Sequence, residues 1–204
     1  MNRDKLLRQW LPESISLNPI GEDAGKIWIE EFGEKYLKFF DSIMEIQKAD
    51  ISSLKGFGEL DENNQPQYAT FHEFITDTFA DDRDDYWKNW RELFDTSMMT
   101  KEFFETYYEK MLHYSKYCEN QRYFTNNNLF FANMVIMEHS VGFLDWGRAA
   151  VTDWLLDFAC MDLHRPYFLI PEKLVAYLKE KGIEAENFKE RSLCMAYYKG
   201  LDAL

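Results

Sequence analysis

Positive charge is scarce in this chain: 23 lysines and arginines stand against 36 aspartates and glutamates, for a net charge of −13. Binding a polyanion depends on basic side chains that neutralise phosphates. The balance therefore argues against a nucleic-acid partner, and equally against an anionic membrane surface. An acidic surface suits a polycationic ligand, although solubility alone asks the same of many proteins. Cysteine is almost as scarce. Cys118, Cys160 and Cys194 are widely spaced, odd in number and without a C-x-x-C pair, which fits reduced core thiols in the cytoplasm better than a disulfide framework. His72, His113, His139 and His164 form no metal spacing, and no serine or cysteine lies in a nucleophile-elbow context. No apolar stretch approaches the length that spans a bilayer. The N-terminal Met1-Asn2-Arg3-Asp4-Lys5 leads into only brief apolar runs, so no signal peptide is expected. Long runs of alternating β-branched residues are missing as well.

What the chain does have is 204 residues, 46% hydrophobic and 17% aromatic, enough for one domain with a sizeable core. Residues 1–21 read as an irregular segment, with a short amphipathic turn around Leu6, Leu7, Trp10 and Leu11 before Pro12. From Glu22 to about Lys48, Ile29, Phe32, Tyr36, Phe40 and Ile43 recur at helical spacing. Ile51–Gln67 carries Gly56, Gly58, Asn63, Asn64 and Pro66 and reads as a loop; Gly56-Phe57-Gly58 lacks the remaining parts of a phosphate-binding glycine motif. Thr70–Asp77 reads as a short helix. Asp81–Asp85 would begin another, where the helix dipole favours carboxylates. The cluster serves either as a solvated cap or as a site that recruits a cation. Thr100–Tyr117 is the clearest helix, with a wide apolar stripe through Phe103, Phe104, Tyr107, Tyr108, Met111 and Leu112 that belongs in the core. Ala149 to about Met161, a helix opened by Pro171 and stopped by Gly182, and one from about Asn187 complete the pattern.

One stretch stands apart: Phe124 to Asp145, F-T-N-N-N-L-F-F-A-N-M-V-I-M-E-H-S-V-G-F-L-D. Met134–Met137 and Val141–Leu144 are short apolar runs separated by Glu138-His139-Ser140, the signature of a β-hairpin. The hairpin sets Asn133 and Asp145 at neighbouring ends, and both carry the oxygen ligands that a hard cation such as Mg²⁺ favours. The simpler reading is a turn with local side-chain bonds.

The stretch resembles the catalytic loop and metal-binding hairpin of the aminoglycoside phosphotransferases, whose pattern is H-G-D-x-x-x-x-N, a hairpin ending in I-D-W, and then D-x-x-x-D-L-A. Asn126-Asn127-Asn128 stands at H-G-D, Asn133 at the metal asparagine, and Leu144-Asp145-Trp146 at I-D-W. Asp153-Trp154-Leu155-Leu156-Asp157-Phe158-Ala159 matches D-x-x-x-D-L-A. Upstream, Ala49-Asp50-Ile51, Gly56-Phe57-Gly58, Gln67–Phe71 and Phe74-Ile75 look like the hygromycin-modifying branch. The likeness runs from about residue 40 onward.

The resemblance implies a mainly α fold with one small β-hairpin, the C-lobe of a kinase-like phosphotransferase over residues 22–204. It implies metal ligands at Asn133 and Asp145, Mg²⁺ with ATP or GTP as cofactors, and an aminoglycoside-like ligand. It also shows two departures. Asn128 occupies the catalytic aspartate position, and an amide offers an oxygen and an NH₂ where a base would be a carboxylate. Nothing resembles the strand-rich N-lobe and its phosphate lysine. The expectation is a degenerate member with weak or no phosphoryl transfer; the alternatives are an enzyme completed in trans by an N-lobe chain and a non-catalytic interaction module. If that lobe is missing, Leu129, Phe130, Phe131 and Trp146 around the loop, with Trp10 and Trp28, would be left open for a partner or for self-association, unless residues 1–30 fold back over them.

Overall fold

A computed structural model describes residues 5, 7–84 and 87–203. Met1–Asp4, Leu6 and Asp85, which the sequence patterns above included, lie outside the described residues. Helices carry most of the regular structure. Helix α1 (Ile29–Ile46) buries Phe32, Phe39, Phe40, Ile43 and Ile46; of the residues marked by the helical spacing, Phe32, Phe40 and Ile43 lie on this face, whereas Tyr36 is half-buried and Ile29 is exposed. The helix begins seven residues later than the periodicity suggests. Glu22–Asp23 instead form strand β1, which pairs antiparallel with Ile136 and Val135. Asp23 then accepts the Gly25 N–H at 2.8 Å and opens a single 3-10 turn. Gly21 lets the strand in: a Cβ there would lie 2.1 Å from the Ile136 carbonyl oxygen.

The hairpin forms where the sequence placed it, from β5 (Met134–Ile136) and β6 (Val141–Phe143), with Met134 opposite Phe143. Strand β1 adds to its edge and makes a sheet of order β1-β5-β6. A second sheet was not expected. Phe57–Leu60 (β2) and Pro66–Tyr68 (β3), in the segment read as a loop, pair antiparallel with a register shift. Ala150–Thr152 (β7), read as the start of a helix, lies between β2 and β4 (Tyr123–Thr125) in the order β3-β2-β7-β4. Gly56 and Gly58 have φ of +90° and +99°. Only glycine takes such angles freely, and one just before a four-residue strand with another inside it erases the alternation by which a strand is recognised. Asp61 closes the β2–β3 turn by accepting the N–H groups of Asn63 and Gln65 at 2.8 and 2.9 Å.

Helix α2 (Phe71–Asp77) carries a complete capping box between Thr70 and Glu73. The carboxylates from Asp81 do not begin a long helix; Asp81–Asp84 lie in turn and irregular backbone. They are followed by a 3-10 turn at Trp90–Glu92 and the four-residue α3 (Leu93–Thr96). Helix α4 (Lys101–Ser115), capped by Thr100, buries Phe104 and Met111 but leaves Phe103 48% exposed, a narrower stripe than expected. It packs against the last helix, α7 (Phe188–Asp202), which also packs on α5 (Leu155–His164). Helix α6 (Ile170–Lys181) starts with Pro171 in its first turn and ends at Gly182, in the left-handed conformation that glycine favours.

Most of the apolar surface expected to be open is closed. Leu129, Phe131 and Trp146 are buried, and Trp10 packs on Phe124 with ring centroids 5.6 Å apart. Leu7, Leu11 and Ile15 join the same core, so the N-terminal segment folds back and covers the face near the loop. Trp28 alone of the named residues stays open, at 76% exposure.

Candidate functional site

Four elements converge on the three asparagines that follow β4. Asp157, in the first turn of α5 and fully buried, takes the backbone N–H of Asn126 on one oxygen at 3.1 Å and that of Asn127 on the other at 2.8 Å. Burial pushes its carboxyl up to about 7, against the downward pull of these two backbone bonds and of Lys199. From β2, Glu59 accepts the Asn127 amide at 3.1 Å. The same amide donates to the Arg148 carbonyl at 3.3 Å. From α7, the buried Lys199 ammonium lies 3.4 Å from the Asn127 side-chain oxygen and 2.7 Å from Asp202. Arg148 joins the group by binding Glu59 at 2.8 Å and Asp202 at 3.0 Å.

Each asparagine has a separate task. Asn126 accepts the Asn128 N–H at 3.1 Å in an Asx turn and points its amide at the carbonyls of Leu144 and Asp145. Asn127 has φ of +58°. Among non-glycine residues asparagine tolerates this left-handed region best, which explains physically how it can stand where a glycine is usual. Asn128 donates its side-chain N–H to Asp145 Oδ2 at 2.7 Å. A carboxylate only accepts, so the NH₂ end of the amide must be the end that faces it.

The structure thus brings together the three residues that the sequence singled out. Asn133 donates its amide to the Asn128 carbonyl at 3.0 Å, and its own carbonyl accepts the Leu144 N–H at 2.8 Å, tying loop to hairpin. Asp145 has φ of +50°, and its second oxygen accepts the Gly147 N–H at 3.2 Å. Asn133 and Asp145 carry ligand types suited to Mg²⁺. As arranged, each Asp145 oxygen already accepts one N–H, Oδ2 from the Asn128 amide and Oδ1 from the Gly147 backbone, which weakens the fit of the pair to a divalent cation. Among the described residues no group of three His, Cys, Asp or Glu side chains is placed to hold a metal.

Two further features escaped the sequence reading. Arg191 grips Asp153 with two nitrogens, at 2.7 and 2.9 Å, and both are buried; Asp153 also accepts the Leu155 N–H at 3.0 Å where α5 begins. Beside the loop lies a cavity of about 500 Å³. Tyr68, Phe74, Trp87 and Tyr198 form its apolar wall, and Glu59, Arg148 and Asp202 its charged one. The charged wall ties residues 59 and 148 to the last helix, and no local pattern joins positions so far apart.

A mainly α domain with this loop, this hairpin and this aspartate pair has the fold of a kinase-like phosphotransferase C-lobe. Solved structures of that fold match over 97% of the chain. They include aminoglycoside phosphotransferase APH(4)-Ia, with a TM-score of 0.71 at 15% identity over 71% of its length. Thermostable mutants of it in ternary complex with AMP-PNP and hygromycin B match with TM-scores of 0.69 and 0.73 at 17% and 15% identity, over 72% and 71% of their lengths. At such identities the likeness is one of fold. No protein-family model and no curated protein matches the sequence. No helix among the described residues is long and apolar enough to cross a membrane.

Proposed function

We propose that this chain is a phosphotransferase-fold protein that binds a polar small molecule beside its catalytic-type loop and transfers phosphate weakly or not at all. The observation that carries the reading is the Asn128 side chain. It holds the place of the base in the resembling family, and here it is an amide donating at 2.7 Å. An amide can orient a hydroxyl but cannot take its proton, and general-base help is typically worth about 10²–10⁴-fold in rate.

Support for ligand binding comes from the cavity, whose volume of about 500 Å³ and mixed apolar and charged lining suit a small molecule. Structures of the same fold include complexes with AMP-PNP or ADP and hygromycin B, so a nucleotide and an aminoglycoside are the first ligands to test. A cationic ligand would have to compete with Arg148, which already pairs with both Glu59 and Asp202. Tryptophan fluorescence, with Trp87 in the cavity wall, tests the reading. Saturable quenching by either ligand, reduced in Arg148→Ala or Glu59→Gln, is the expected result. No binding of either, or phosphoryl transfer at ordinary kinase rates, would sink it.

A further inference from the structure

We infer that the Asn128 amide takes the place of a divalent cation at Asp145, so that the loop and the hairpin are clasped without metal and the chain binds Mg²⁺ poorly. The inference stands on the loop geometry and does not require the functional reading above.

The argument begins with charge. Asp145 ends the hairpin in a left-handed conformation, at φ +50°, and this sets its carboxylate against the loop. Asp145 is solvent-exposed, so water competes for its carboxylate with any positive partner from the loop. That partner can be a cation or an N–H dipole. Here both oxygens are engaged by N–H groups, Oδ2 by the Asn128 side chain at 2.7 Å and Oδ1 by the Gly147 backbone at 3.2 Å. A hydrogen bond to an ionised acceptor at such a distance belongs to the stronger class.

The Asn128 backbone is held so that its side chain stays within reach of Asp145. The Asn128 backbone N–H is held by the Asn126 side chain at 3.1 Å and its carbonyl by the Asn133 amide at 3.0 Å. The residue is therefore fixed on both sides, and Asn133 spends its donor on the loop. A cation at Oδ2 would face the positive end of an N–H dipole. Mg²⁺ also sheds its own water reluctantly and asks for near-octahedral oxygen ligands. Asn133 still has its amide oxygen to offer, but a carboxylate that already accepts two N–H groups is a poorer ligand than a free one.

The same geometry says what a carboxylate at position 128 would do. Two negative groups would then sit where one amide and one carboxylate now touch. Like charges at that range repel, and a divalent cation between them would relieve the repulsion. Asn128→Asp should convert a metal-indifferent clasp into a metal-requiring one.

The test is thermal unfolding in chelator and in millimolar Mg²⁺, with Mn²⁺ binding followed by electron paramagnetic resonance. Wild type should melt at one temperature in both conditions and leave Mn²⁺ largely free. Asn128→Asp should melt roughly 3–6 °C lower in chelator and recover in Mg²⁺, with Mn²⁺ bound about tenfold more tightly than by wild type or better. Should that variant fail to fold, Asn128→Ala decides: it frees Oδ2 without adding charge, and it too should bind Mn²⁺ more tightly than wild type. Wild type that is stabilised by Mg²⁺, or that binds Mn²⁺ as tightly as both variants and loses it in Asp145→Ala, would overturn the inference.

Discussion

Asp157 Oδ1 accepts the backbone N–H of Asn127 at 2.8 Å. The bond joins a buried helix carboxylate to a loop residue in the left-handed conformation, and it fixes where the following residue, Asn128, can point. The neighbouring oxygen holds Asn126 in the same way. The loop's shape is therefore set from beneath, by a group that has no contact with solvent.

Removing that group should be costly. Asp157→Ala leaves two buried N–H groups without acceptors, and each such loss is worth about 1–3 kcal/mol. Urea unfolding should show a destabilisation of roughly 2–6 kcal/mol by this count. A loss below about 1 kcal/mol would mean that water or a neighbour takes over the role.

The pH dependence has a definite sign. The folded-state pKa of Asp157 is raised by burial to about 7 from an ordinary value of 3.8, so between these values the folded chain holds a proton that the unfolded chain has lost. The contribution of Asp157 is fully present below pH 3.8 and is lost as pH rises through about 7. The stability of wild type relative to Asp157→Asn should fall across that window, at up to about 1.4 kcal/mol per pH unit. A difference that stays flat between pH 4.5 and 7.5 would contradict the assignment.

Asn127 separates backbone from side chain. Both Asn127→Gly and Asn127→Ala lose the bonds to Glu59 and Arg148, but only alanine strains at φ +58°. The alanine variant should be the less stable of the two by about 1–2 kcal/mol. Equal denaturation midpoints would place the loop in another conformation.

Arg191 and Asp153 are both buried, so breaking the pair strands a charge. Arg191→Ala should cost about 3–5 kcal/mol, and the double change Arg191→Met with Asp153→Leu much less. Additive losses in a double-mutant cycle would show that the two residues act separately.

The pattern of what the sequence revealed follows from range. The hairpin, the start of α4 near Thr100, the stop at Gly182 and part of the face of α1 are local, and each was legible because its signal lies within a few residues. The nearness of Asn133 and Asp145 was legible from the hairpin and that of Asn128 only through a resemblance; the structure bonds Asn128 to both. Strand β1 was hidden because its pairing depends on Val135 and Ile136, more than a hundred residues away. Strand β7 was hidden for a related reason: Ala150-Val151-Thr152 is too short to show a period, and its place between β2 and β4 is a tertiary fact. The positive φ angles at Gly56 and Gly58 disguised β2 as a loop. The fold-back of Trp10 onto Phe124 lay equally beyond local reading.

The most direct measurement is phosphoryl transfer itself, with the wild-type chain, Mg-ATP labelled at the γ-phosphate, and hygromycin B. With an amide at position 128 donating to Asp145, labelled product should form at least about 10²-fold more slowly than by an ordinary kinase, or not at all. Kinases of this chemistry turn over at roughly 1–100 s⁻¹, so even a heavily impaired enzyme would register. Turnover within that range, abolished by Asp145→Ala, would contradict the account.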